Sequence, residues 1–68
     1  MEIGLHVDNT TGEYFLCIHR GVTRASGWYL YKNGTKSPLQ QFAPASAFAQ
    51  NLNLISSNPT LEYPELFI

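Results

Sequence analysis

Tyr14-Phe15-Leu16-Cys17-Ile18-His19-Arg20 is the stretch from which the rest of the chain can be arranged. In an extended backbone Tyr14, Leu16 and Ile18 point to one side and Phe15, Cys17 and His19 to the other. Both sides carry apolar groups, as expected of a strand covered on two faces, and the aromatic and β-branched content favours a pleated conformation. This segment, about residues 13–20, is therefore expected at the centre of a sheet.

Working outward, Ile3, Leu5 and Val7 alternate with Gly4, His6 and Asp8, which predicts a half-buried strand over about 2–8. Asp8-Asn9-Thr10-Thr11-Gly12 between the two supplies residues that form turns with their own side chains or tolerate positive φ. On the other side, Gly21 to Gly27 reads as a loop and Trp28-Tyr29-Leu30-Tyr31-Lys32 as a third strand, about 27–32. Asn33-Gly34 signals a two-residue hairpin, which would set Lys32 opposite Thr35 and Tyr31 opposite Lys36. The return strand, about 35–41, contains Pro38, which lacks an N–H and suits a sheet edge.

Ala45, Phe48, Ala49, Leu52 and Ile55 recur at spacings of three and four, predicting a short helix over about 44–56 that opens at Pro44 and stops at Ser56-Ser57-Asn58-Pro59. Thr60 to Ile68 then mixes apolar and acidic residues and ends on Leu66, Phe67 and Ile68. The expected fold is α+β: an antiparallel meander of three or four strands packed on one short helix, residues 1–58, followed by an extended apolar and acidic tail, residues 59–68. That tail is expected to dock on its own domain, on a second copy or on another protein.

Size and composition fit one small domain. The chain has 68 residues, 44% of them hydrophobic, 13% aromatic and only 13% charged, which is a folding rather than a disordered composition. A chain of this length buries about 60% of the surface it exposes when unfolded, so its core barely offsets the ordering entropy. Cys17 is the single cysteine and cannot form an intramolecular disulfide. No run of apolar residues is long enough to span a bilayer, and Met1-Glu2-Ile3-Gly4 does not open a signal peptide. A cytoplasmic location, in the cell of origin or in a host, is the expectation, with a reduced Cys17 and no membrane partner. Such a short chain also fits an accessory protein of a virus or mobile element.

Chemistry is sparse. The five glycines are isolated, so no phosphate-cradling loop is present. Cys17 and His19 share a strand face about 7 Å apart, too far for a nucleophile and its base, and a flat sheet offers no oxyanion site even if His6 approaches. His6, His19 and Cys17 supply three metal ligands at most and would need Asp8 or Glu13 to complete a set. Glu2, Asp8 and Glu13 fall at strand ends and turns, where carboxylates are usually solvated. No enzyme activity, no metal and no cofactor are expected.

Two binding readings remain. The chain carries Glu2, Asp8, Glu13, Glu62 and Glu65 near its ends, and no carboxylate side chain from Tyr14 to Leu61. All four bases fall in that gap. Arg20, Arg24, Lys32 and Lys36 with Trp28, Tyr29 and Tyr31 form a candidate nucleic-acid surface, pairing cations with stacking rings. The leading reading is instead a small protein-interaction factor whose anchors are Tyr63, Leu66, Phe67 and Ile68, binding another protein or a second copy of itself. A homodimeric structural protein is the third.

Overall fold

The computed structural model describes residues 1–31 and 34–68. Strands β1 (Gly4–Asp8), β2 (Tyr14–Arg20), β3 (Ala25–Leu30) and β4 (Gln40–Phe42) form a meander, helix α1 (Ala47–Gln50) follows, and β5 (Leu52–Ser56) returns to the sheet. Helix α2 (Pro59–Glu62) and a 3-10 turn (Pro64–Phe67) close the chain. The sheet order is β4-β3-β2-β1-β5 with every pairing antiparallel, so the fold is α+β and β2 lies at its centre.

Residues opposite one another across a ladder share a face. The registers His6 with Phe15, Phe15 with Tyr29, and Ala25 with Phe42 therefore define one face. On it Phe15 is fully buried and meets the rings of Tyr29, Phe42 and Phe48 edge-on, at centroid distances of 5.1, 5.6 and 5.5 Å. Phe48 and buried Ala49 come from α1, and Met1 and Leu52 pack on the same cluster. The opposite face carries Leu5, Tyr14, Leu16, Trp28 and Leu30, and here the C-terminal segment lies against Tyr14 and Leu30.

Three expectations about local structure are corrected, and with them the strand number, which is five and not the expected three or four. The helix expected over 44–56 is only Ala47–Gln50, and its second half is strand β5. Ser46, not Pro44, starts it: the Ser46 hydroxyl accepts from the Ala49 N–H at 3.3 Å. Asn51 ends it, and Leu52–Ser56 then gains a ladder to β1, interrupted by one bulge at Ile55, that a poor helix former such as Asn53 could not match with helical bonds. The 59–68 stretch is not extended: Pro59 and Pro64 each open a short helical turn, where their missing N–H groups have no partner to lose.

The third correction concerns the hairpin. Leu30, not Tyr31, pairs with Lys36, and the Tyr31 N–H donates to the Thr35 carbonyl at 2.8 Å. The connection is thus one residue longer than a two-residue turn, and Gly34 takes φ +73, as three-residue connections demand. The expected Lys32–Thr35 pairing lies outside the described residues. The return strand shrinks to Gln40–Phe42, because Pro38 interrupts the ladder after the isolated bridge at Lys36. On the other side β3 begins earlier than expected, at Ala25.

Candidate interaction surface

The C-terminal segment is fixed by local bonds before it touches the sheet. The Ser56 hydroxyl receives the Asn58 N–H at 3.1 Å and itself donates to the Glu62 carboxylate, tying the end of β5 to α2. Tyr63 N–H donates to the Pro59 carbonyl at 2.7 Å and Leu66 N–H to the Tyr63 carbonyl at 3.1 Å, which turns the chain twice and brings Tyr63 and Leu66 inward. The Tyr63 ring packs on Tyr14, centroids 6.2 Å apart and tilted by 52°. Leu66 lines a hollow of about 500 Å³ with Glu13, Tyr14, Leu30 and Tyr31. Beyond it Phe67 is 37% and Ile68 90% exposed, and the Ile68 carbonyl lies against Gly34, where any side chain would collide with it. Of the four expected anchors, two are turned into the domain and two are presented outward.

The cationic and aromatic set divides between faces and ends. Trp28 and Lys36 lie on the face covered by the C-terminal segment, with the Lys36 ammonium 4.2 Å from the Trp28 ring centroid. That cation occupies the ring face a base would need. Trp28 Nε1 is buried and has no hydrogen-bond partner among the described residues. Tyr29 belongs to the Phe15 cluster on the other face, with Tyr31 stacked on it at 6.5 Å and 9°. Arg20 and Arg24 lie at the far end of β2 and β3, where the Gly21 N–H closes the turn onto the Arg24 carbonyl. Lys32 lies outside the described residues.

Buried His6, Cys17 and Asp8 each have a structural partner. His6 Nδ1 is 3.0 Å from the Gly4 carbonyl and donates to it, and burial lowers the imidazole's pKa below its ordinary 6.5. Burial raises the Cys17 pKa, so the thiol stays protonated and donates to the His19 carbonyl at 3.4 Å. Tyr29 donates its hydroxyl to Asp8 at 2.7 Å across β1, β2 and β3. That bond, the largest cause, lowers the Asp8 pKa, while burial first and Asp8 second raise that of Tyr29. Asp8 also accepts the Thr10 N–H at 2.8 Å, closing the β1–β2 turn. Sequence alone did not reveal this bridge; its one signal was a carboxylate ending an apolar alternation. Among the described residues no group of three or more His, Cys, Asp or Glu could hold a metal ion.

These shifts set a pH profile. Folded His6 binds its proton less tightly than the unfolded chain does, so unfolding takes up a proton once the pH nears 6.5. Stability is then complete above that pH and falls as the solution is acidified. Asp8, also lowered, adds a second loss below about its ordinary 3.8. Urea midpoints between neutral and mildly acidic pH should fall for the wild type and flatten for His6→Gln; an unchanged slope in the variant would assign the loss elsewhere.

No protein family, no curated protein and no solved structure matches the chain. No helix among the described residues is long and apolar enough to cross a membrane.

Proposed function

We propose that this chain is a small non-enzymatic protein-interaction factor that binds a larger protein through the C-terminal segment and the hollow beside it. The carrying observation is that hollow of about 500 Å³, walled by Tyr14, Leu30, Tyr31 and Leu66 with Glu13, and continued along the chain by exposed Phe67 and Ile68. Such a concavity accepts an apolar or aromatic side chain from a partner, the arrangement in which a few anchors dominate interface energy. Leu66 lines it, Tyr63 packs on the Tyr14 ring that forms one of its walls, and Phe67 and Ile68 meet the partner. The protonated, buried Cys17 and the hydrogen-bonded His6 favour a structural reading of the groups that could otherwise be reactive.

The test is affinity purification of the tagged chain from its native host, with and without nuclease, beside a Phe67→Ala/Ile68→Ala variant. A protein partner is expected to survive nuclease and to bind the variant at least about tenfold more weakly. The variant's unfolding midpoint should fall only by what truncating the partly covered Phe67, 37% exposed, removes, since Ile68 is 90% exposed. Capture that vanishes with nuclease, falls steeply with salt and follows Arg24→Ala instead would replace this reading with nucleic-acid binding.

A further inference from the structure

A strand at a sheet edge presents unpaired backbone groups, and stable proteins guard such edges with charge, proline or brevity. Here the two edges differ. Strand β4 is three residues long and stands between Pro38 and Pro44. Strand β5 is five residues long, contains no proline, and lies in a stretch from Ser37 to Leu61 with no charged residue. Among the described residues its ladder partner is β1 alone.

The phase of that ladder says which groups face outward. The Asn9 N–H donates to the Asn51 carbonyl at 2.9 Å, so residues 9 and 51 form a hydrogen-bonded pair. Alternation in an antiparallel ladder then makes Val7 and Asn53 hydrogen-bonded too, while Asp8–Leu52 and His6–Leu54 are not. The N–H and C=O groups of Leu52 and Leu54 therefore point away from the sheet. The register shift on this ladder falls between Leu5 and His6, beyond Leu54, and leaves the 52–54 stretch regular.

Leu52-Asn53-Leu54 reads the same in both directions. An antiparallel second copy centred on Asn53 sets Leu52 opposite Leu54 of the other chain at both ends. Those are the outward-facing positions on each side, so all four leucine N–H groups find carbonyls. Asn53, exposed, meets Asn53 of the second copy at the closer-spaced, non-hydrogen-bonded position, where two amides can bond one another. Leu52 and Leu54, half-buried in the single chain, cover each other on the α1 side of the sheet. We infer that the outer edge of β5 is a self-association surface, whose occupant is β5 of a second copy, joining two sheets into one across a two-fold axis at Asn53.

The contact is short, so association is weak and is read by sedimentation from about 10 µM to about 1 mM chain. The sedimentation coefficient is expected to rise from monomer toward dimer across that range. Asn53→Lys, which places two ammonium groups at the axis, should hold the chain monomeric throughout. Amide exchange of the wild type provides a readout that needs no variant: Leu52 and Leu54 should gain protection with concentration, and Asn53 should not. A chain monomeric throughout, a dimer that persists in Asn53→Lys, or one lost in Phe67→Ala/Ile68→Ala instead would overturn the inference.

Discussion

Gly27→Ala is expected to leave the chain largely unfolded. Gly27 sits inside β3, opposite Cys17, at a point where β2 comes unusually close. An added methyl would overlap the Leu16 carbonyl oxygen and lie 2.9 Å from its carbon and 2.8 Å from Cε1 of Phe15. Two of these atoms are backbone of the central strand and the third belongs to the fully buried Phe15 ring, so none can swing aside. Relief would require β2 and β3 to separate where they pair. Overpacking in adaptable cores costs about 1–3 kcal/mol, and a collision with backbone exceeds that. A core of this size rarely supplies more than about 3–5 kcal/mol in total. Far-ultraviolet circular dichroism and amide dispersion should both report loss of the sheet. Gly12→Ala is the comparison: no atom lies within 4 Å of the added methyl there, so only the strain of φ +78 is added. If Gly27→Ala melts like the wild type, the close approach of β2 and β3 is wrong.

The central strands were legible because each carried its own period. Tyr14–Arg20 has apolar groups on both sides, and Leu5 with Val7 alternates cleanly, so β1, β2 and β3 fall within two residues of expectation at every boundary. What misled the reading of 44–56 is that Ala45, Phe48, Ala49, Leu52 and Ile55 satisfy a helical spacing while Leu52, Asn53 and Leu54 satisfy a strand's. The decision was made elsewhere. Gly4, Leu5, His6 and Asp8 are all buried, so β1 is covered on both faces and needs a neighbour on each side. β2 fills one side, and Leu52–Ser56 fills the other. Tertiary demand at β1 overrode local period at β5.

The candidate surface was legible in composition and not in placement. A C-terminal segment rich in large apolar residues had to dock somewhere, and Leu66 with Tyr63 does so against Tyr14 in the same chain. Strand alternation alone separates Trp28 from Tyr29 and Tyr31, but clustering them by sequence proximity to Lys32 and Lys36 hid that separation. The register of the hairpin, shifted by one, is what carries Lys36 onto the Trp28 ring.

Phe15→Ala is the second change with a large expected effect, and it tests the packing rather than the backbone. Phe15 is fully buried on the central strand, and its ring is the shared partner of Tyr29, Phe42 and Phe48, drawn from β3, β4 and α1. Phe42 and Phe48 also meet each other at 4.9 Å, so the four rings form one interlocked cluster. Truncation removes the edge-on contacts, each worth about 0.5–1.5 kcal/mol beyond burial, and opens a cavity that three rigid rings cannot collapse to fill. The expected loss is about 3–5 kcal/mol, comparable with all the stability a core of this size provides. Phe15→Leu keeps most of the volume and should retain a cooperative urea transition at a lower midpoint. Ile18→Ala, on the same strand but 42% exposed, should cost well under half as much as Phe15→Ala. Because α1 packs on the sheet through this ring cluster and β4 adds to it only a three-residue edge ladder on β3, their amides should lose exchange protection in Phe15→Leu before those of β1 and β2. Equal effects of Phe15→Ala and Ile18→Ala would mean that stability resides in the backbone ladder of β2 and not in the ring cluster beneath it.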